Sequence, residues 1–186
     1  KYENNMNALR EMYPSSQECC QYTHDSMMLW NRNVTHSDVL FERLGIGNIP
    51  FQVEIDIPKE RFTMINDSLA DKPRKIKESY KMLFDVPVGI DLLAHPLIGV
   101  FGGEKKEGAI AAVYNLVAQI AANNCYTDVK MAFIYDEKKY DYEKTWSFAK
   151  WLPHVWSGDR RTRYVAKNKS EASDVLYELT KVLRTR

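Results

Sequence analysis

The chain has 186 residues, 45% hydrophobic and 27% charged, enough for one well-buried core or for one small domain plus an appendage, and too apolar for wholesale disorder. Its 26 Lys and Arg stand against 25 Asp and Glu, and a formal net charge of +1 makes no electrostatic case for wrapping nucleic acid or lying on an anionic membrane. It carries no run of 18 apolar residues, no secretory signal, and three cysteines (Cys19, Cys20, Cys125) whose number and spacing suit a reducing compartment rather than a disulfide frame.

In chain order, residues 1–30 are polar and helical in pattern, broken at Pro14. Leu9 and Met12 form one short stripe, and Cys20, Thr23, Met27 and Trp30 form another. The start at Lys1 and the end at Arg186, directly after a helical pattern, read as cuts, so an excerpt from a longer protein is expected. Residues 39–44 read as a strand, 45–50 (GIGNIP) as a turn, and 51–57 as a second strand whose Phe51, Val53, Ile55 and Ile57 share a face. Pro73 opens a helix in which Ile76, Tyr80, Leu83 and Phe84 lie on one side, and residues 86–92 return to strand character.

An apolar strand over 97–102, a glycine loop and a helix over 107–123 follow. That helix is apolar nearly all round, with only Asn115, Gln119 and Asn123 as a polar stripe, which predicts that it is wedged between other elements. Residues 129–135 predict a central parallel strand, a tryptophan-rich connector (Trp146, Trp151, Trp156) leads to a short strand over 164–166, and a last helix spans 170–184. In that helix Val175, Leu176, Leu179, Val182 and Leu183 are expected inward. Strand and helix alternating in this order imply a parallel sheet with right-handed crossovers.

The segment LIGVFGGEKKEGAI (97–110) has the frame of a phosphate-binding loop. Gly103 and Gly108 stand five apart, as in G-x-x-x-x-G-K-[ST], with Gly102 beside the first. In a working loop backbone N–H groups cradle the phosphates, a lysine reaches the terminal ones and a hydroxyl holds magnesium. Here Ala109 stands at the lysine position and Ile110 at the hydroxyl position, and neither an aliphatic methyl nor a sec-butyl group binds phosphate or metal. Two readings stay open for the turn itself: an inert strand-to-helix corner, or a residual anion site at a helix N-terminus, against which Glu104 and Glu107 weigh.

Asp136, after the apolar run 129–135, is the candidate residual acid of a magnesium site, against the plainer reading of a solvated strand end. His24, His36, His95 and His154 have no metal-ligand spacing, and no metal site is expected. His154 reads as a hydrogen-bonded structural histidine, and Arg160, Arg161 and Arg163 as a solvated basic loop. The 4 Trp and 11 Tyr are the density at which aromatics mark a contact surface, although core packing is their default role.

Residues 128–138 (DVKMAFIYDEK) followed by WLPH at 151–154 resemble the strand, aspartate-x-lysine and Leu-Pro-His of FtsK/SpoIIIE-type translocases. LWNR at 29–32, FERLGIG at 41–47 and VPVGID at 86–91 look closer still to the EssC/EccC-type ATPases of type VII secretion, in the stretch between the membrane helices and the first clear ATPase module. IAANNCYTDVK at 120–130 fits the Gram-positive Firmicutes branch. The resemblance covers nearly the whole chain and rests on the order and spacing of these motifs.

It implies a membrane-proximal, degenerate ATPase-like domain of a membrane-anchored motor that exports small helical WXG-type proteins. The fold expected is α/β, a RecA/P-loop-like three-layer sandwich with a mainly parallel sheet, a helical stalk over 1–30 and a small β segment. Within 31–186, residues 31–85 would be the lead-in and 86–186 the core, truncated at its C-terminal side. The domain would be catalytically inactive and bind no cofactor, with ATP and Mg held by other domains of the parent. Its partners would be those domains and other subunits of the machine, with secreted proteins reached through the parent, no nucleic acid, and the membrane met only through adjacent segments on its cytoplasmic side. The competing expectations are a nucleotide-hydrolysing domain with an atypical loop, and DNA translocation, which the charge balance disfavours.

Overall fold

A computed structural model of the chain describes residues 1–53, 56–57, 72–104, 106–139 and 141–184. By contact it divides into two units, Lys1–Gln21 with Leu40–Gln119 and Tyr22–Val39 with Ile120–Arg186. Helices and strands are both present, and among the described residues the strands form two two-stranded sheets, one antiparallel and one parallel. Among the described residues no helix is long and apolar enough to cross a membrane.

In the first unit, α1 (Tyr2–Met12) buries no residue outright and is fastened at both ends. Tyr2 donates its hydroxyl to the Met82 carbonyl at 2.9 Å and meets Phe51 and Tyr80 edge-on, while Arg10 donates to the Asp85 carbonyl at 3.1 Å. A capping box of Ser15 and Glu18 starts α2 (Ser16–Cys19) just after Pro14. The helical pattern expected up to residue 30 ends there, and residues 22–30 are turns. The Thr23 N–H bonds to Ser26 Oγ at 2.9 Å, a local alternative that competes with helical bonding.

The expected turn at 45–50 is strand instead. β1 (Phe41–Pro50) runs straight through both glycines and pairs antiparallel with β2 (Met82–Asp91), from Phe41↔Asp91 to Pro50↔Met82. Register slips at Arg43/Gly45 and Gly47/Ile49 show what the glycines do: they mark bulges, which in sequence resemble turns. Gly89 is required by close approach, since a Cβ there would fall 2.5 Å from the Glu42 carbonyl oxygen and from the Phe41 ring. Past Pro50, Phe51 adds one bond to the Lys81 carbonyl, but 51–53 is not strand, and Glu54 and Ile55 of the expected alternating run lie outside the described residues. α3 (Lys72–Ser79) carries Pro73 in its first turn as expected, whereas Leu83 and Phe84, read as its inner face, belong to β2.

On α4 (Lys106–Asn123) Gln119 and Asn123 of the polar stripe are buried alongside Val117 and Ala122, Asn115 is half-buried, and most of the other apolar residues are half-buried or exposed. Gln119, 1% exposed, grips the β1 backbone at the first bulge: the Arg43 N–H donates to Gln119 Oε1 at 2.9 Å, and Gln119 Nε2 donates to the Arg43 carbonyl at 2.8 Å. Asn115 Nδ2 donates to the same carbonyl at 3.0 Å. A bulge strands backbone groups that the ladder no longer pairs, and these two amides satisfy them.

In the second unit the chain around 30–32 closes the C-terminal end of α4. Trp30 N–H and Arg32 N–H donate to the carbonyls of Ala122 and Asn123 at 2.7 and 2.9 Å, and Trp30 Nε1 donates to Ala121 at 3.0 Å. These carbonyls are among the last four of the helix, which have no partner within it. The expected long parallel strand over 129–135 shrinks to β3 (Phe133–Ile134), parallel to β4 (Val165–Ala166) as expected. Residues of the run alternate partners: Met131 N–H bonds to the His154 carbonyl, Phe133 to Tyr164, and Tyr135 to Ala166. Between them lie α5 (Tyr142–Trp146) and 3₁₀ turns at Ser147–Trp151 and Pro153–Val155. α6 (Lys169–Arg184) docks through Val175, with Ala172 and Leu179, on Tyr164 and Ala166. Leu176, Val182 and Leu183, expected inward, are exposed because one strand pair covers only a narrow helix face.

Tyr135 closes this unit on its other side, donating its hydroxyl to Glu143 Oε2 at 3.1 Å, while Lys167 Nζ donates to Glu143 Oε1 at 2.5 Å. Burial first, and the bond to Glu143 next, push the Tyr135 phenol from 10.0 up to about 12. The fold therefore favours the neutral ring; the contribution is complete below pH 10 and is lost as pH rises toward 12. A tyrosinate absorbance titration is expected to show a component near pH 12 that Tyr135→Phe removes; a titration unchanged by that substitution contradicts the assignment.

Candidate functional site

The glycine turn belongs to the first unit. β2 stops at Asp91, whose Oδ1 accepts the N–H groups of Leu93 and Ala94 at 2.8 and 3.2 Å, and the expected strand over 97–102 is irregular chain. Leu97 and Phe101 are each 93% exposed there, and no strand pairs with the segment among the described residues. A glycine-rich run has no strand stability of its own without a ladder partner, which is why the apolar pattern alone misled.

Gly103 holds φ +56°, the left-handed turn that glycine adopts without strain, and α4 opens at Lys106. Gly102 sits half-buried before that turn. Gly108 lies in the first turn of the helix with nothing within 4 Å of a built Cβ. Ala109 and Ile110 follow it on the helix, both half-buried. What is built is a glycine corner at a helix N-terminus, without the strand that would aim it.

Asp136 belongs to the second unit, so the loop and the acid come from different units. It is exposed and locally engaged: Oδ1 accepts the Lys138 N–H at 3.0 Å and Oδ2 stands 3.7 Å from Lys139 Nζ. This is the geometry of a solvated turn after a strand.

The second unit holds a groove of about 760 Å³ that sequence reasoning did not assemble. Trp30, Tyr126, Trp151 and Trp156 line it together with Lys130 and Arg160. The ring of Trp30 meets Tyr126 edge-on at 4.8 Å, and Tyr126 in turn approaches His154 at 6.3 Å. The Arg163 guanidinium covers Trp156 at 4.3 Å, and Lys150 lies 5.5 Å from the Trp151 ring centre. Burial of the ammonium, and after it the Arg160 charge, hold Lys130 below the ordinary lysine range.

A tight loop at 157–162 presents Arg160, with Ser157 Oγ donating to Asp159 Oδ1 at 2.6 Å and the Arg161 N–H donating to the same oxygen at 3.1 Å. Beneath the groove, His154 is fully buried and its Nε2 is 2.9 Å from the Asn124 carbonyl, the hydrogen-bonded structural histidine expected. The signals for the groove were the aromatic density and the basic cluster. Their convergence was not legible, because segments around 30, 126 and 156 meet only in three dimensions.

No family model matches the chain. It is 27% identical over 94% of its length to the ESX secretion system protein YukB of Bacillus subtilis, of which it spans 11%. It is 26% identical over 99% of its length to the ESX secretion system protein EccC of Geobacillus thermodenitrificans, spanning 12% of that protein. With the type VII secretion system protein EssC of Staphylococcus aureus it shares 23% identity over 85% of the chain and 10% of the relative. The chain spans about a tenth of the length of the curated relatives it matches.

Proposed function

We propose that this chain, a homologue of the EssC, EccC and YukB secretion proteins, is a non-catalytic, ATPase-like part of a membrane-anchored type VII secretion motor. It couples the membrane part of that motor to its ATPase modules and partner subunits, on the cytoplasmic side of the cell membrane. Its α/β body is a degenerate relative of the RecA-like sandwich. ATP and Mg act in other modules of the parent, and WXG-type helical proteins are met through the parent, not through nucleic-acid or membrane contacts of this body.

The observation that carries the reading is the pair Ala109 and Ile110 on the first turns of α4, where a phosphate loop needs an ammonium and a hydroxyl. A helix N-terminus alone supplies partial positive charge, worth about 0.3–1 kcal/mol toward an exposed anion. That is far short of the roughly 8 kcal/mol that micromolar affinity requires. Coupling then rests on packed surfaces with more than one docked arrangement, whose balance neighbouring modules shift.

Calorimetry with Mg-ATP tests this, using Gly108→Ala as control. A Cβ at Gly108 meets nothing within 4 Å, so the substitution is silent in the fold. The expected result is no binding heat with either chain. Micromolar binding or ATP turnover that Gly108→Ala abolishes would install the nucleotide-hydrolysing reading in its place.

A further inference from the structure

We propose that the tryptophan groove docks an extended peptide segment of a partner protein, one that carries carboxylates beside aromatic or aliphatic side chains. The groove stands on its own observations within the second unit and does not depend on the state of the glycine turn. Its walls are large aromatic surfaces, and Trp151 leaves 73% of itself in water. Its cations, Lys130 and Arg160, make no ion pair among the described residues, although Asp159 and Asp128 lie one and two positions away in sequence. Those carboxylates are engaged elsewhere: Asp159 in its own loop, and Asp128 with the Val34 N–H at 3.3 Å and the Thr127 hydroxyl at 3.1 Å. Two like charges lining one trough, without an ion-pair partner among the described residues, call for anionic groups on the occupant.

Two of the walls are also fixed in advance. Trp30 is pinned by its Nε1 bond to Ala121, and Trp156 is covered by Arg163, so ordering them on binding costs little. Trp30 and Arg160 both hold left-handed backbone, φ +55° and +56°, a strain that non-glycine residues keep only where surroundings impose it. Concavity selects a side chain over a lipid surface, because a flat bilayer meets only the rims of a trough. Indoles with Arg are the composition of protein–protein hot spots, where buried aromatic anchors carry most of the energy.

Selection of a displayed random dodecapeptide library on the chain tests the proposal. The expected enrichment pairs Asp or Glu with aromatic or aliphatic residues. A synthetic peptide from that set should bind about tenfold or more weakly to Lys130→Gln/Arg160→Gln and to Trp151→Ala, the size of a lost hot-spot contact. All three side chains lie at the surface of the groove, so thermal unfolding should stay unchanged and separate lost binding from lost fold. Absence of enrichment, enrichment without acidic bias, or binding indifferent to these substitutions would overturn it. So would phosphatidylglycerol vesicles or a single-stranded oligonucleotide binding through Lys130 and Arg160 where no peptide does.

Discussion

Gln119→Leu is expected to lower the unfolding free energy of the first unit by about 3 kcal/mol, with little change in denaturant slope. The side chain is fully buried and leucine is shorter by one heavy atom, so most of the loss measures hydrogen bonds rather than volume. Leucine leaves the Arg43 N–H without its acceptor and takes one of two donors from the Arg43 carbonyl. Each buried group left unpaired costs about 1–3 kcal/mol. Gln119→Glu separates the halves: it keeps the acceptor, loses the amide donor, and places a carboxylate in a site without a cation in its bonding set. Hydrogen exchange at the Arg43 amide gives the local readout, accelerating in Gln119→Leu. A loss under about 1 kcal/mol with unchanged protection at Arg43 would mean the bulge holds itself.

That clamp shows where sequence patterning works and where it inverts. The helix over 107–123 was legible from composition, and Asn115, Gln119 and Asn123 stood out as its one polar stripe. Polarity normally marks the wet side of a helix. Here Gln119 and Asn123 lie on a packed side, and the neighbouring strand offers stranded backbone groups that the Gln119 amide, donor and acceptor at once, pairs in both directions. The bulges that strand them were hidden in the same way. Gly45 and Gly47 read as a turn, and nothing local distinguishes a glycine that reverses the chain from one that lets a strand slip register.

The glycine corner failed as a strand–loop–helix for a different reason. Gly103 and the start of α4 are local features, set by backbone preference, and both were legible. A strand over 97–102 is not local, since it exists only where another strand pairs with it. The same rule shortened 129–135 to two paired residues, its partners being 164–167 on one stretch and His154 on another. Absent lysine and hydroxyl chemistry at 109 and 110 was readable residue by residue, whereas the groove, built from three distant segments, was not.

His154→Ala is expected to cost the second unit about 3–4 kcal/mol, from a lost buried ring and a lost bond to the Asn124 carbonyl. His154 also sets a pH response whose sign follows from its surroundings. Burial first, and the Lys130 charge in the same direction, hold its imidazole below 6.5, while the bond to Asn124 pulls the other way. The unfolded chain therefore binds this proton more readily than the fold does. Stability is complete above 6.5 and falls as pH drops below it. His154→Phe keeps a ring beside Tyr126 but cannot titrate, so its stability should be flat where the parent's declines. Carboxylates give a different window: Glu143, held low by Lys167 first, loses its contribution only as pH falls below 4.5. A decline between pH 6.5 and 4.5 that survives in His154→Phe would take the acid response away from this ring. If the decline vanishes, the buried imidazole beside Tyr126 is the group behind the fold's response to mild acid.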